Sequence, residues 1–154
     1  MHKSEERTAA TPTTKLRVLL VDDNEEDVEL VSIAIAESKD FRTTITAARD
    51  GVAALEALDA VPDERLPDFI LLDVKMPRMD GRELLRELRQ RERYASLPVL
   101  MFSTSESPLD VAHCYREGCN AYFVKPLGYT ELVEIIDEIL RHWGRRVRLP
   151  HATS

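Results

Sequence analysis

Three aspartates and a lysine each follow a short apolar run of the sequence, at positions from which they could form one polar cluster. Asp22 and Asp23 follow one apolar run, Asp73 follows another, and Lys125 follows a third. Carboxylates brought together repel, so the pKa of at least one is raised unless a cation neutralises the group. Oxygen ligands without His or Cys favour Mg²⁺ or Ca²⁺, and so few carboxylates leave coordination positions for water and phosphate, which Mg²⁺ prefers. The sequence therefore predicts a Mg²⁺ site.

A carboxylate beside such a metal is suited to accept a phosphoryl group, because the metal offsets the developing charge. We predict Asp73 as this acceptor, since it ends the apolar run Phe69–Leu72, where an unpaired carboxylate is costly to bury. Lys125 supplies a point charge for a phosphoryl oxygen, and Ser103 a hydroxyl that hydrogen-bonds it. The Lys125–Pro126 bond is a candidate cis peptide that would fix the loop carrying Lys125.

Taken singly, these residues have ordinary structural explanations. Two aspartates before a helix are typical of N-terminal capping, a lysine before proline is typical of a solvated loop, and a serine after a strand is typical of a turn. A second metal site, formed by His113, Cys114 and Cys119, lacks a fourth nearby ligand and matches no zinc spacing. The prediction of a phosphate site therefore depends on the conjunction of several residues at successive strand ends.

The elements that position these residues are short apolar runs alternating with amphipathic stretches. The predicted strands are Leu16–Val21, Thr43–Ala48, Phe69–Leu72, Val99–Phe102 and Ala121–Val124. The predicted helices are Glu25–Glu37, Val52–Leu58, Arg82–Arg91, Pro108–Glu117 and Thr130–Trp143. This alternation predicts an α/β fold with a doubly wound, five-stranded parallel sheet. Ligands of such sheets bind beyond the carboxyl ends of the strands, which is where the candidate residues lie.

Length and composition narrow the classes of function. A chain of 154 residues, 44% of them hydrophobic, is expected to form one domain over residues 15–144, between a disordered N-terminal tail (1–14) and a C-terminal extension (145–154). The net charge of −7 and the lack of a basic stripe argue against nucleic acid or an anionic membrane as partner. No secretory signal or apolar run of about 18 residues is present, and two cysteines suit a reducing cytosol, so we expect a cytoplasmic protein.

Over roughly Lys15 to Gly144, the chain resembles the receiver domain of two-component response regulators. The segments that carry the resemblance are Val-Leu-Leu-Val-Asp22-Asp23-Asn24, Leu-Leu-Asp73-Val-Lys-Met76-Pro77-Arg-Met-Asp80-Gly81, Leu-Pro-Val-Leu-Met-Phe-Ser103-Thr104 and Ala-Tyr122-Phe-Val-Lys125-Pro126. The resemblance implies a flavodoxin-like fold with strand order 2-1-3-4-5 and phosphotransfer from a sensor histidine kinase. It also implies that Mg²⁺ is bound by Asp22, Asp23, Asp73 and the backbone carbonyl of Lys75.

The resemblance further implies a switch, in which the hydroxyl of Ser103 senses phosphate and Tyr122 turns inward on phosphorylation. Ser103 stands where threonine is more usual, and Thr104 stands where a small residue is common. Lys75 adds an unusual charge at the rim of the site. These three departures bear on access to the phosphoryl group and hence on its lifetime.

A narrower resemblance, to stand-alone regulators paired with phytochrome-type histidine kinases, comes from Ser103-Thr104-Ser105, Trp143 and the segment Val-Arg-Leu149-Pro150. Because few residues follow Trp143, we expect output through protein contacts, including a downstream phosphotransfer protein. The last predicted helix has an apolar arc wider than a usual core stripe. We predict a homodimer through the fourth and fifth helices and the fifth strand, with a partner face formed by Tyr122, Leu132, Ile136, Ile139, Leu140 and Trp143. The alternative is that the arc packs broadly on the sheet.

We expect a phosphoacceptor signalling protein and not an enzyme, since it only assists its own phosphotransfer and dephosphorylation. Two other classes of function compete with this prediction. One is an interaction module that keeps the fold but works without phosphorylation, and the intact acidic set with Lys125 argues against it. The other is a haloacid-dehalogenase-like phosphatase, which needs a second acidic residue two positions after the nucleophile. Lys75 occupies that position.

Overall fold

The structure is a computed structural model that describes residues 14–146. The strands are β1 (Thr14–Val21), β2 (Phe41–Ala48), β3 (Phe69–Leu72), β4 (Val99–Ser103) and β5 (Ala121–Val124). The helices are α1 (Glu25–Ala36), α2 (Gly51–Asp59), α3 (Gly81–Gln90), α4 (Pro108–Glu117) and α5 (Tyr129–Arg141). Short 3-10 turns cover Asp63–Arg65 and Glu92–Tyr94, and a π-helical turn, His142–Arg146, extends α5.

The five strands form one parallel sheet in the order β2-β1-β3-β4-β5. Both the fold class and this strand order were predicted from the sequence and are confirmed. The order reverses between β1 and β3, so their carboxyl ends flank the crevice in which sheets of this type bind ligands. Every residue of β3 and β4 is buried, which explains why these strands are continuous apolar runs.

Helices cover both faces of the sheet. Along β1, Leu19 and Val21 face a core cluster with α2, α3 and α4, whereas Val18 and Leu20 face a second cluster with α1 and α5. Strand residues alternate between the two faces because successive side chains point in opposite directions. No helix within residues 14–146 is long and apolar enough to cross a membrane.

The N-terminal boundary differs from the prediction by one residue. Thr14, placed in the predicted tail, is the first residue of β1, where it pairs with Phe41 and its N–H donates to the Asp40 carbonyl at 3.2 Å. The edge strand β2 also begins earlier than predicted, because this pairing extends both strands. Residues 1–13 of the predicted tail and residues 147–154 of the predicted extension lie outside the described residues.

The predicted partner face on the last helix is largely wrong. The side chains of Leu132, Ile136, Ile139 and Leu140 are at most 8% exposed and pack on the sheet in the cluster with α1. The alternative reading, a broad core contact, holds for these four residues, because α5 covers β1, β3 and β4 together. Trp143 is half-buried against the same cluster.

Candidate functional site

The carboxyl ends of β1, β3, β4 and β5 bring the predicted site residues together. Carboxylate oxygens of Asp22, Asp23 and Asp73 lie within 4.8 Å of one another. Within residues 14–146 no other group of three such side chains has this spacing, so His113, Cys114 and Cys119 form no metal site. Hard oxygen ligands at this spacing fit a divalent cation such as Mg²⁺.

Asn24, rather than the two aspartates before it, caps α1. The Asn24 side chain accepts a hydrogen bond from the Asp27 N–H at 3.0 Å. Asp22 is buried, and its Oδ1 accepts from the Asn24 N–H at 3.0 Å, which fixes the carboxylate toward the cluster. The capping explanation for Asp22 and Asp23 is therefore wrong, because Asn24 already performs that role.

Lys125 is not a solvated loop residue. Its side chain is 8% exposed, and its Nζ lies 2.5 Å from Asp22 Oδ2, 2.9 Å from Asp27 Oδ2 and 3.9 Å from Asp73 Oδ2. Burial lowers the pKa of the Lys125 ammonium, but the hydrogen bond to Asp22 and the charges of Asp73 and Asp22 outweigh burial and leave the pKa raised. The lysine therefore stays charged beside the acidic cluster.

Asp73 is half-buried at the end of β3, and burial raises its pKa from 3.8 to about 6. The ammonium of Lys125 opposes this rise in pKa, whereas the charge of Asp22 adds to it. Hydrogen bonds from the Val74 N–H, at 2.8 Å, and from Ser103 lower the pKa of Asp73. A cation bound at the cluster would oppose both the effect of burial and the repulsion from Asp22, and so lower this pKa.

Ser103 and Tyr122 are joined through the segment that follows β4. Ser103 is buried, and its Oγ accepts a hydrogen bond from the Ser105 N–H at 3.2 Å. The Tyr122 hydroxyl donates to the Ser105 carbonyl at 2.9 Å, and its ring packs inward against the core. Thr104 is exposed between them.

The loop between β3 and α3, residues 73–80, is held at both ends. The Gly81 N–H donates to the Val74 carbonyl at 2.8 Å. A Cβ at Gly81 would lie 2.1 Å from the Asp73 carbonyl oxygen, so the close approach requires glycine. Lys75, whose backbone carbonyl is the predicted fourth ligand, is exposed on this loop.

Sequence reasoning missed three residues around the site. Asp27 contacts Lys125, and buried Asp50 receives two hydrogen bonds from the Arg78 guanidinium, at 2.7 and 3.1 Å. The hydrogen bond from Arg78 lowers the pKa of Asp50, which also caps α2 through the Ala53 N–H. An aspartate before a glycine, as at Asp50-Gly51, is typical of an ordinary turn, and Arg78 adopts a left-handed φ of 64° that no glycine marks.

The candidate cis peptide before Pro126 is wrong, because no peptide bond within residues 14–146 is cis. The position of Lys125 is instead determined by its ion pairs with Asp22 and Asp27, and by its backbone N–H, which donates to the Ser103 carbonyl at 2.8 Å.

The family model described as response regulator receiver domain matches residues 18–137. The chain belongs to this family. Membership makes it a receiver domain of a two-component phosphorelay, and implies a histidine kinase as its partner. The set of Asp22, Asp23, Asp73 and Lys125 occupies the acidic pocket of this receiver domain.

Individual relatives resemble the receiver domain over most of their length. The probable methanogenesis regulatory protein FilR2 of Methanothrix harundinacea (strain 6Ac) is 35% identical over 128 residues, covering 82% of each chain. Response regulator Rcp1 of Synechocystis sp. is 31% identical over 138 residues, covering 88% of this chain and 93% of Rcp1. The Mn(2+)-bound structure of Rcp1 matches with a TM-score of 0.78 and 32% identity, over 88% of this chain and 99% of that one.

The crystal structure of the phosphorylated cyanobacterial phytochrome response regulator RcpA matches with a TM-score of 0.81 and 32% identity, over 88% of this chain and 99% of RcpA. The receiver domain is thus similar to a regulator described as phytochrome-associated. The resemblance to regulators of this type, predicted from a few residues, is confirmed as a similarity.

Proposed function

We propose that the receiver domain accepts a phosphoryl group on Asp73 and signals through its own surface. The main support for the proposal is that the Asp73 carboxylate lies within 4.8 Å of two aspartates that could hold a cation with it, and 3.9 Å from the Lys125 ammonium. With a cation bound to the aspartates, an acceptor in that position would have two positive charges, the cation and Lys125, to balance the phosphoryl group.

In the transfer step, a carboxylate oxygen of Asp73 attacks the phosphorus of the kinase's phosphohistidine. The new O–P bond forms as the P–N bond breaks, and the electron pair of that bond returns to the imidazole nitrogen. Lys125 and the Ser103 hydroxyl meet the negative oxygens of the transferred group. In hydrolysis, water attacks the phosphorus, the O–P bond to Asp73 breaks with its electron pair returning to the carboxylate, and inorganic phosphate leaves, so one site serves both phosphorylation and dephosphorylation.

A Mg²⁺ ion fits the acidic cluster, with Asp22, Asp23, Asp73 and the backbone carbonyl of Lys75 as its protein ligands. When bound, the ion supplies charge compensation for phosphoryl oxygens. The support is the spacing of the three carboxylates and the Mn(2+)-bound form of the relative Rcp1. Asp22 is oriented for this role by the Asn24 N–H, whereas Asp23 is exposed to incoming ions.

The switch consists of Ser103, Thr104 and Tyr122, and the segment after β4 connects Ser103 to Tyr122 by hydrogen bonds. A phosphoryl group that draws the Ser103 hydroxyl also moves the Ser105 N–H bonded to it. Ser105 in turn contacts the Tyr122 hydroxyl and, through its Oγ at 2.5 Å, Asp110 of α4. Phosphate on Asp73 is thereby sensed at α4 and β5.

The partners follow from the relatives and from the surface of the chain. Similarity to RcpA supports a phytochrome-type histidine kinase as phosphodonor. A downstream phosphotransfer protein is a further partner if the phosphate is relayed onward. We propose a homodimer interface on α4, β5 and α5; its support is that Leu109 and Tyr115 of α4 and Val124 of β5 are exposed, whereas the apolar residues of α5 pack on the sheet. Sedimentation of Leu109→Asp, against Leu30→Asp on α1 as control, tests this interface.

Acetyl phosphate with Mg²⁺ tests the proposal directly. The wild-type protein is expected to gain one hydroxylamine-sensitive phosphoryl group, Asp73→Asn none, and the control Asp63→Asn, outside the site, one. The competing function is an interaction module that works without phosphate. Failure of the wild type to be labelled would favour that module.

A further inference from the structure

We propose that Asp27 is a positioning residue for phosphoryl transfer, which holds the ammonium of Lys125 back from Asp73 and so weakens the binding of a phosphoryl group. The inference rests on the proposed function of Asp73 as phosphoacceptor. Its basis is a contact between α1 and the loop after β5, across 98 residues of sequence, in which Lys125 Nζ donates to Asp27 Oδ2 at 2.9 Å.

Of the three carboxylates nearest the Lys125 ammonium, two accept hydrogen bonds from it and one does not. Asp22 and Asp27 accept hydrogen bonds at 2.5 and 2.9 Å, whereas Asp73 Oδ2, at 3.9 Å, is beyond hydrogen-bond distance. Two carboxylates therefore already neutralise the Lys125 ammonium, the positive charge that a phosphoryl group on Asp73 would need as its partner. Of these two, Asp22 belongs to the acidic cluster, and Asp27 lies outside it.

The carboxylate of Asp27 is not needed to form α1. Its backbone N–H is the group that Asn24 caps, and this contact leaves the side chain unused by the helix. Glu25 and Glu26, also in the first turn, supply the negative charge that a helix N-terminus favours. Only Asp27 of these three reaches Lys125. Its contact with Lys125 is thus separable from helix stability.

A phosphoryl group on Asp73 competes with Asp27 for the same ammonium. Charges a few ångströms apart in a partly buried site interact strongly, so removing one carboxylate from Lys125 strengthens its attraction to phosphoryl oxygens. Asn at position 27 keeps an oxygen that accepts the Lys125 hydrogen bond but removes the charge. The expected result of Asp27→Asn is tighter binding of a phosphoryl group, by roughly three- to tenfold.

Beryllofluoride, an analogue of the phosphoryl group, measures this effect in the full chain at saturating Mg²⁺. Fluorine NMR titration gives its dissociation constant for wild type, Asp27→Asn and the matched control Glu26→Gln, which removes a charge from the same helical turn. The dissociation constant is expected to fall roughly three- to tenfold in Asp27→Asn and less than about twofold in Glu26→Gln. In a Lys125→Met background, Asp27→Asn is expected to change nothing beyond the control.

Three results would overturn the role of Asp27 but leave the proposed function of Asp73 intact. They are equal dissociation constants for Asp27→Asn and Glu26→Gln, weaker beryllofluoride binding by Asp27→Asn, and a gain in affinity from Asp27→Asn that persists in the Lys125→Met background. Absence of beryllofluoride binding by the wild type would overturn the proposed function of Asp73, and this inference with it. Thermal unfolding of each variant verifies that it is folded under the conditions of the titration.

Discussion

The Tyr122 hydroxyl donates a 2.9 Å hydrogen bond to the backbone carbonyl of Ser105. Ser105 also donates its N–H to Ser103 Oγ, so Ser105 links the Ser103 hydroxyl to the Tyr122 hydroxyl. In the proposed switch, a displacement of the Ser103 hydroxyl would therefore reach, through one backbone unit, an aromatic ring that packs against the core.

Tyr122→Phe removes this hydrogen bond and keeps the packed ring. The free energy of unfolding is expected to fall by about 0.5–1.5 kcal/mol, and the amides of residues 104–107 to exchange faster with solvent. Urea unfolding and hydrogen exchange measure the two effects. Tyr115→Phe, at an exposed tyrosine on α4, serves as control, and equal exchange in both variants would contradict the link.

The raised pKa of Asp73 predicts a specific pH dependence in the absence of divalent cations. Because the pKa of Asp73 in the folded protein, about 6, lies above the usual value of 3.8, the native state binds more protons between these values. The contribution of Asp73 to stability is full below about pH 4 and is lost as pH rises through 6. Asp73→Asn is therefore expected to be more stable than wild type at pH 7.5, by about 1–2 kcal/mol after solvent screening.

This advantage of Asp73→Asn should shrink toward zero as the pH is lowered to about 4, and Mg²⁺ should reduce it at pH 7.5. Thermal unfolding in a chelator, at both pH values, measures it. An advantage that is independent of pH would show that burial of the Asp73 charge is not its cause.

Gly81→Ala is expected to destabilise the protein by about 2–4 kcal/mol, because the new Cβ would meet the Asp73 backbone carbonyl at 2.1 Å. The clash falls on backbone, which cannot move without shifting the acceptor. Gly128→Ala is the control, since its Cβ would meet the end of the flexible Glu131 side chain. Denaturant unfolding compares the two, and similar losses would count against the close approach.

Ile136→Ala tests the assignment of the last helix to the core. Its side chain is 1% exposed, so truncation is expected to cost about 2–5 kcal/mol through the lost burial and the cavity. The loss should be the same at low and high protein concentration. Unfolding of Glu134→Ala, at an exposed position of α5, provides the reference. A loss that depends on concentration would instead place Ile136 in a subunit interface.

The fold and the central site residues were predictable because the strand pattern is simple. Buried parallel strands are apolar runs, and the residues that follow them meet at one edge of the sheet, which brings Asp73 and Lys125 together. Asp27 was not predictable in this way. Its contact with Lys125 depends on how α1 packs beside the loop after β5, which local patterns do not report.

The apolar arc of α5 shows a second limit of prediction from sequence. Leu132, Ile136 and Leu140 have the same residue types whether they meet the sheet or a partner, and only the path of the helix across the sheet distinguishes the two. Arg78 is a third case, since its left-handed backbone is held by Asp50, a residue 28 positions away.

The position at which the chain carries the phosphoryl group decides whether Asp73 is the phosphoacceptor. After incubation with acetyl phosphate and Mg²⁺, borohydride reduction converts an aspartyl phosphate to homoserine, which peptide mass spectrometry locates. Homoserine at position 73, absent when Mg²⁺ is chelated, is the predicted result. Homoserine at position 22 or 23 instead would contradict the assignment of Asp73 as the phosphoacceptor. So would the absence of homoserine at every position of a folded and Mg²⁺-saturated protein.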